Sequence, residues 1–224
     1  RVMQIFRTAA NDGRRELTTR ESLDVLDAAG VRICRSGMAH SEDEAVAVAE
    51  KTGYPVVMKM TSKTTSHKTD VGGVRVGIAS EEDLRREYRD LIGKLEAKGL
   101  LEGLEGVLIQ EMVKSKRELV TGIATDPQFG PMVMFGLGGV FVEVLKDVAF
   151  RLAPLTDIDA KDLIHSVKCV KLLEGARGFT PAQMDKVEET LLRISQLAHV
   201  HRFVKELDIN PLMISDKDEE PIAV

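Results

Sequence analysis

"PVVMKMTSKTTSHKTDVGGVRVGI", residues 55–78, reads as two strands around a loop of unusual composition. "PVVMKM" is apolar apart from Lys59, and "GGVRVGI" pairs naturally with it as a hairpin. The loop sets His67 among Thr64, Thr65, Ser66 and Thr69, beside Asp70, and closes on Gly72 and Gly73. Three readings are open: a surface loop, a cradle whose N–H groups hold a phosphate, or a cradle whose histidine itself accepts the phosphoryl group. The glycines let a backbone approach a ligand closely. Neutral imidazole has a free nitrogen lone pair, so it is a competent acceptor near neutral pH. That role requires a carboxylate to hold the other ring N–H.

Lys59 poses a related question. Burying an ammonium among apolar residues is costly unless it meets an anion. It is either an edge-strand lysine snorkelling to water or a charge held on a rigid strand for phosphate oxygens.

Outward from the hairpin, helices and strands alternate. "SEDEAVAVAEKTG" (41–53) and "SEEDLRREYRDLIGKLEAKG" (80–99) each open on a serine N-cap, carry acids in the first turn and end at glycine. "LTTRESLDVLDAAGV" (17–31) is a further helix capped by Thr18 or Thr19, and "VRICRS" (31–36) reads as a strand. The first fifteen residues form a leader with weak periodicity. In the second half, "ELVTGIATD" and "PMVMFGLGG" are strands joined by the turn "DPQFG", and "VFVEVLKDVAFRLAPL" is β-rich. Helices are expected over 159–175 and over 180–201, the latter with Thr180 as cap and Pro181 in the first turn. "VKELDINPLMI" (204–214) is a final strand broken by Pro211. The pattern is that of an α/β chain with two open-faced lobes.

"ELDINPL" (206–212) puts Asp208 and Asn210 on one strand face and Leu207 and Ile209 on the other. Two oxygen donors on one face are half of a Mg²⁺ site that phosphates and water would complete; an Asx-Pro turn is the plain alternative. Asp208 is also the better candidate than Asp70 for holding the ring of His67. Glu111, in "IQEMV", ends a strand whose backbone suits an adenine edge. Glu118, Glu143, Arg151 and Arg177 read as structural or solvated charges.

Composition narrows the function classes. Lys and Arg number 31 against 36 Asp and Glu, a net charge of −5, which argues against nucleic acid as a partner. No apolar run reaches membrane-spanning length, and no signal-peptide layout is present, so a cytoplasmic protein without membrane contact is expected. Cys34 and Cys169 stand outside any metal-binding spacing and read as reduced thiols. Beginning at Arg1, the chain is expected to be a fragment or a trimmed form of something longer.

In order, a strand lysine, "SHKTDVGGV", an apolar-Gln-Glu segment, "DPQFGPMVMFGLGG" and "ELDINPL" resemble the ATP-grasp domain of ADP-forming acyl-CoA synthetases, the β part of ADP-forming acetyl-CoA synthetase. The β subunit of succinyl-CoA synthetase is similar at greater distance. The resemblance covers about Leu17 to Val224. It implies an ATP-grasp fold, two α+β lobes clasping a nucleotide, with residues 1–16 as leader, 17–36 and 114–224 as the larger lobe and 37–113 as the smaller. It further implies Lys59, Gly72 and Gly73 at the phosphates, Glu111 and Val113 at the adenine hinge, and Glu118 at a further nucleotide contact. His67 falls at a phosphorylated histidine, Asp208 at the acid that steadies it, and Asn210 at a magnesium ligand. ATP or ADP and Mg²⁺ are the implied cofactors.

The implied reaction is acyl-CoA + ADP + phosphate ⇌ carboxylate + CoA + ATP, with His67 relaying phosphate from a CoA-binding part. That part, an α subunit or a fused α domain, must be supplied separately. The family pattern continues past "EEPIAV" to an aspartate, for which Asp216 or Asp218 is the substitute in this sequence. A non-catalytic ATP-grasp module of a larger fused protein, such as a fused acetyltransferase, is the alternative. His67, Lys59, Asp208 and Asn210 together favour catalysis. An ATP-grasp ligase joining an acid to an amine leaves the histidine loop unexplained.

Overall fold

The computed structural model describes residues 1–62, 72–138 and 147–224. His67 and the loop around it, and Glu143, lie outside the described residues, as does the side chain of Arg177. The chain divides into two compact units, one of Met3–Asp24 with Cys34–Met112, the other of Val25–Ile33 with Val113–Val224.

In the first unit, helix α1 (Val2–Asn11) forms where the sequence shows only weak periodicity, and α2 (Thr19–Ala28) also begins in this unit, its residues from Val25 on counting with the second. The strand expected at 31–36 lies instead at β1 (Ser36–Ala39). Residues upstream of it contribute only an isolated bridge, Ile33 to Ala223, which belongs to the second unit. Next come α3 (Glu42–Thr52), β2 (Val56–Ser62), β3 (Val74–Ile78), α4 (Glu81–Ala97) and β4 (Leu104–Glu111). Both expected serine caps are present, with Ser41 accepting from the N–H of Glu44 and Ser80 from that of Asp83. The sheet runs β1-β4-β2-β3, antiparallel throughout.

Alternation along the strands divides its two faces. Val56, Met58, Met60, Val107 and Ile109 pack with Leu84, Leu91 and Leu95 of α4 and with alanines of α3 into one core. The three leucines recur on a single helical face, and burying each contributes about 1.5–3 kcal/mol. Val57, Lys59, Leu108 and Gln110 therefore take the other face.

The second unit holds β5 (Glu118–Asp126), β6 (Gly130–Leu137), β7 (Val148–Leu152), α5 (Asp157–His165), α6 (Val170–Leu173), α7 (Met184–Val200), β8 (Glu206–Ile214) and β9 (Pro221–Ala223). Its sheet runs β7-β6-β5-β8-β9, and α7 packs across β5 and β6.

The helix expected over 159–175 is instead two, α5 and α6, and two further expectations fail for identifiable reasons. Helix α7 begins at Met184 rather than behind Thr180, because tertiary hydrogen bonds take the preceding backbone. The Thr180 carbonyl accepts from Arg117, the N–H of Ala182 donates to Leu173 and that of Gln183 to Glu219. Pro211 does not break β8. It sits where the β5–β8 register shifts between Leu119 and Thr121, a bulge that relieves a residue with no N–H of its ladder bond. Gly122 lies opposite Asp208, and a Cβ there would overlap the Leu207 carbonyl oxygen, so only glycine allows the two strands this approach.

Candidate functional site

The first unit presents Lys59 on β2 between β4 and β3, opposite Leu108 on one side and Val74 on the other. An inner strand excludes the edge-lysine alternative. The side chain is half-buried on the face away from the helix-packed core. Gly73 is brought beside it, since the N–H of Met60 donates to the Gly73 carbonyl at 2.8 Å. Gly72 adopts φ +72°, the left-handed region that glycine tolerates without strain. The hairpin thus delivers Lys59 and the glycine pair to one place.

Glu111 closes β4 opposite Val56. Its carboxylate accepts from Arg35 Nε at 2.7 Å and from the Arg35 N–H at 3.1 Å, while its own N–H donates to the Arg35 carbonyl at 2.9 Å. The clamp ties the end of β4 to Arg35 through both side chain and backbone. Sequence reading missed Arg35, because nothing local links positions 76 residues apart. Cys34, next to it, is buried, and burial pushes its thiol up to about 11, so it is neutral.

In the second unit, Asp208 and Asn210 line one cavity of about 770 Å³ together with Val120, Ala124, Thr125 and Lys205. Both side chains are exposed to it while Ile209 between them is buried, which is the expected alternation. Among the described residues no hydrogen bond or ion pair reaches the Asp208 carboxylate. Burial within the concavity, and then the neighbouring charge of Glu206, raise it above the ordinary carboxylate value. Such an acid can hold an imidazole N–H or accept a cation's charge. Glu118 starts β5, half-buried opposite Met213, and does not line the cavity; Val113 is half-buried ahead of it.

Asp218 donates nothing to a metal as it stands. Arg32 grips it in a two-pronged pair at 2.8 and 3.0 Å, which holds its carboxyl down at about 2. A cation there would have to displace a guanidinium, whereas Asp216 is exposed. Arg151 is half-buried and donates to the Phe150 carbonyl, consistent with a structural charge.

A raised carboxylate with no donor among the described residues costs stability, which gives a test of Asp208. Its folded value lies above the ordinary 3.8, so the folded state binds the proton more tightly. Stability is therefore lost as pH rises through the folded value. Asp208→Asn is expected to raise Tm at pH 7, with the gain fading as pH falls toward 4. A lower Tm at pH 7 would show that the carboxylate has a structural partner instead.

The family model for the ATP-grasp domain matches residues 8–224. The chain belongs to the ATP-grasp family. Its relatives place it more closely, as an ATP-grasp domain of the ADP-forming acyl-CoA synthetases. It is 45% identical over 194 residues to the ADP-forming acetate–CoA ligase I of Archaeoglobus fulgidus, covering 87% of this chain and 28% of that protein. With the β subunit of ADP-forming acetate–CoA ligase II from Pyrococcus furiosus it shares 37% identity, over 100% of this chain and 95% of the relative. The ATP-grasp domain thus spans less than a third of the Archaeoglobus ligase and nearly the whole Pyrococcus subunit. Among solved structures, the acetyl-coenzyme A synthetase 1 of Ca. Korarchaeum cryptofilum, with coenzyme A and Ca-AMPCP, superposes at a TM-score of 0.94 with 38% identity, over 100% of this chain and 97% of the other. A structure of that protein with Mg-AMPPCP, its phosphohistidine segment pointing towards the nucleotide site, superposes at 0.87 with 35% identity, over the same shares of both chains.

Proposed function

We propose that this ATP-grasp domain is the nucleotide-binding, phosphoryl-transfer component of an ADP-forming acyl-CoA synthetase, acting with a CoA-binding α subunit or fused α domain. The observation that carries this reading is the place of Lys59, a cation held half-buried on an inner strand beside Gly73, in a domain of the ATP-grasp family. Lys59, Gly72 and Gly73 hold the phosphates of ADP. Glu111 and Val113 meet the base, and Glu118 adds a further nucleotide contact.

The CoA-binding part converts acyl-CoA and phosphate into acyl phosphate with release of CoA, and its own histidine then takes the phosphoryl group with release of the carboxylate. One ring nitrogen of His67 attacks that phosphorus, forming an N–P bond as the donor's bond breaks. A β-phosphate oxygen of ADP then attacks in turn, giving ATP and restoring the imidazole. Asp208 holds the other ring N–H, so the ring presents its lone pair rather than its proton. Asn210 would hold a Mg²⁺ ion, with the Asp208 carboxylate beside it in the same cavity adding negative charge. When bound, Mg²⁺ neutralises phosphate charge. The residues themselves supply in-line positioning and charge, which is most of what phosphoryl transfer needs.

Thermal stabilisation by nucleotide tests the reading. ADP with Mg²⁺ is expected to raise Tm in a concentration-dependent way, by mass action on the folded state. Lys59→Met keeps the apolar stem and is expected to weaken ADP binding about 10–100-fold, as for one charge-assisted phosphate contact. Equal ADP affinity in the variant would remove Lys59 from the site.

A further inference from the structure

A peptide unit flanked by two glycines turns over with little steric cost, because both residues accept either sign of φ. Gly72 and Gly73 flank such a unit, and the first unit of the chain carries a device that holds it one way round. Arg75 stands on β3 opposite Met58 and so shares the face against which α4 packs, while Val74 stands opposite Lys59 on the other. Its Nη1 donates to the Gly72 carbonyl, and to that of Val74 at 3.2 Å. Nη2 donates to Asp90 Oδ2 at 2.9 Å, and Nε lies 3.1 Å from Glu87 Oε2. Glu87 and Asp90 are neighbours on one face of α4. Asp90 also accepts from Lys94 at 2.7 Å, and Lys94 first and Arg75 second hold its carboxyl below the ordinary value. The Arg75 side chain is 16% exposed, so the guanidinium is set against the helix rather than splayed into water.

A trans peptide carries its C=O and N–H on opposite sides. Capture of the Gly72 carbonyl on the α4 side therefore turns the Gly73 N–H away from the helix, toward the face that carries Lys59. We propose that Arg75 is a positioning residue for phosphoryl transfer: anchored on α4 by Glu87 and Asp90, it fixes the Gly72–Gly73 peptide so that the Gly73 N–H donates to the β-phosphate of ADP. The inference rests on the nucleotide reading above and adds what orients the glycine pair. Lys59 supplies a point charge that acts from any direction. An N–H acts only along its own axis, so a turned peptide would forfeit the contact altogether. Because a β-phosphate oxygen is the attacking atom when ATP forms, its direction matters to the reaction as well as to binding.

The experiment compares the affinities of the whole chain, with Mg²⁺, for ADP and for AMP, which lacks the β-phosphate. The wild type is expected to prefer ADP. Arg75→Met should weaken ADP binding about tenfold, the value of one hydrogen bond to a charged group, and leave AMP little changed. Arg75→Lys should recover little of the loss, because a point charge cannot hold a carbonyl and two carboxylates at once. If Arg75→Met does not fold, Glu87→Gln combined with Asp90→Asn keeps the arginine but loosens its anchor, and should narrow the ADP–AMP difference in the same sense. Equal losses for the two nucleotides in a folded variant, or no loss for either, make Arg75 a plain tie between β3 and α4 and overturn the proposal. Full recovery in Arg75→Lys overturns it too, as does a wild type that binds ADP and AMP alike. A wild type that binds neither overturns the nucleotide reading, and this inference with it.

Discussion

Replacing His67 by alanine is expected to abolish phosphoryl uptake by this chain, lowering it at least about a thousandfold, the order lost when a nucleophile is deleted. The measurement supplies a CoA-binding partner with acetyl phosphate labelled in its phosphorus, and follows label that survives base and is lost in acid. Such lability marks a phosphoramidate rather than a phosphoester or an acyl phosphate, and its loss in His67→Ala assigns the nitrogen. The other four histidines are placed for different work. His40 Nδ1 is 3.0 Å from the Glu105 carbonyl and His165 Nδ1 is 2.8 Å from that of Lys161. His201 packs its ring against Phe203 and is held below its ordinary value by burial, while His199 is exposed near the end of α7. Asp208→Asn should slow uptake without removing it, because an amide oxygen can still accept the ring N–H but carries no charge to stabilise the cationic ring. Label that persists in His67→Ala would end the relay proposal. A wild type that binds ADP yet takes up no label would favour the non-catalytic module.

The largest loss of stability is expected at Arg117. Its side chain is 2% exposed and gathers three separate segments of the second unit. One Nη1 donates to the carbonyls of Leu172 and Thr180, at 3.3 and 2.8 Å, and Nη2 pairs with the Glu219 carboxylate. The guanidinium also stands over the Phe179 ring, 5.4 Å from its centre. Arg117→Ala would leave a carboxylate and two carbonyls without their donor, and removing one partner of such a pair costs about 3–5 kcal/mol. Arg117→Lys is expected to recover little, since a point charge cannot reproduce the planar fork. Urea unfolding reads this as a lower midpoint at unchanged slope. A loss below about 1 kcal/mol would mean that the three segments hold together without it.

How much of this was legible beforehand follows how local each cause is. Ser41 and Ser80 cap α3 and α4 through backbone atoms three residues away, so the sequence alone located those helix starts. The β2–β3 hairpin and the alternation of Asp208 and Asn210 around Ile209 are likewise short-range. Helix α7 was misplaced because Arg117 and Glu219, far off in sequence, hold the backbone of residues 180–183. Pro211 looked like a strand end because a bulge is a property of two strands, of which only one carries the proline. Lys59 left two readings open until its neighbours on both sides were known.

By itself the sequence determined the alternation of elements, the motif order of the ATP-grasp family, and the residue types able to bind and move phosphate. Tertiary structure decided which of them are satisfied elsewhere among the described residues: Glu111 by Arg35 and Asp218 by Arg32, but not the carboxylate of Asp208. The reason is that a charge or amide announces its chemistry in the chain, whereas its solvation and its partners depend on what the fold brings within 3 Å of it.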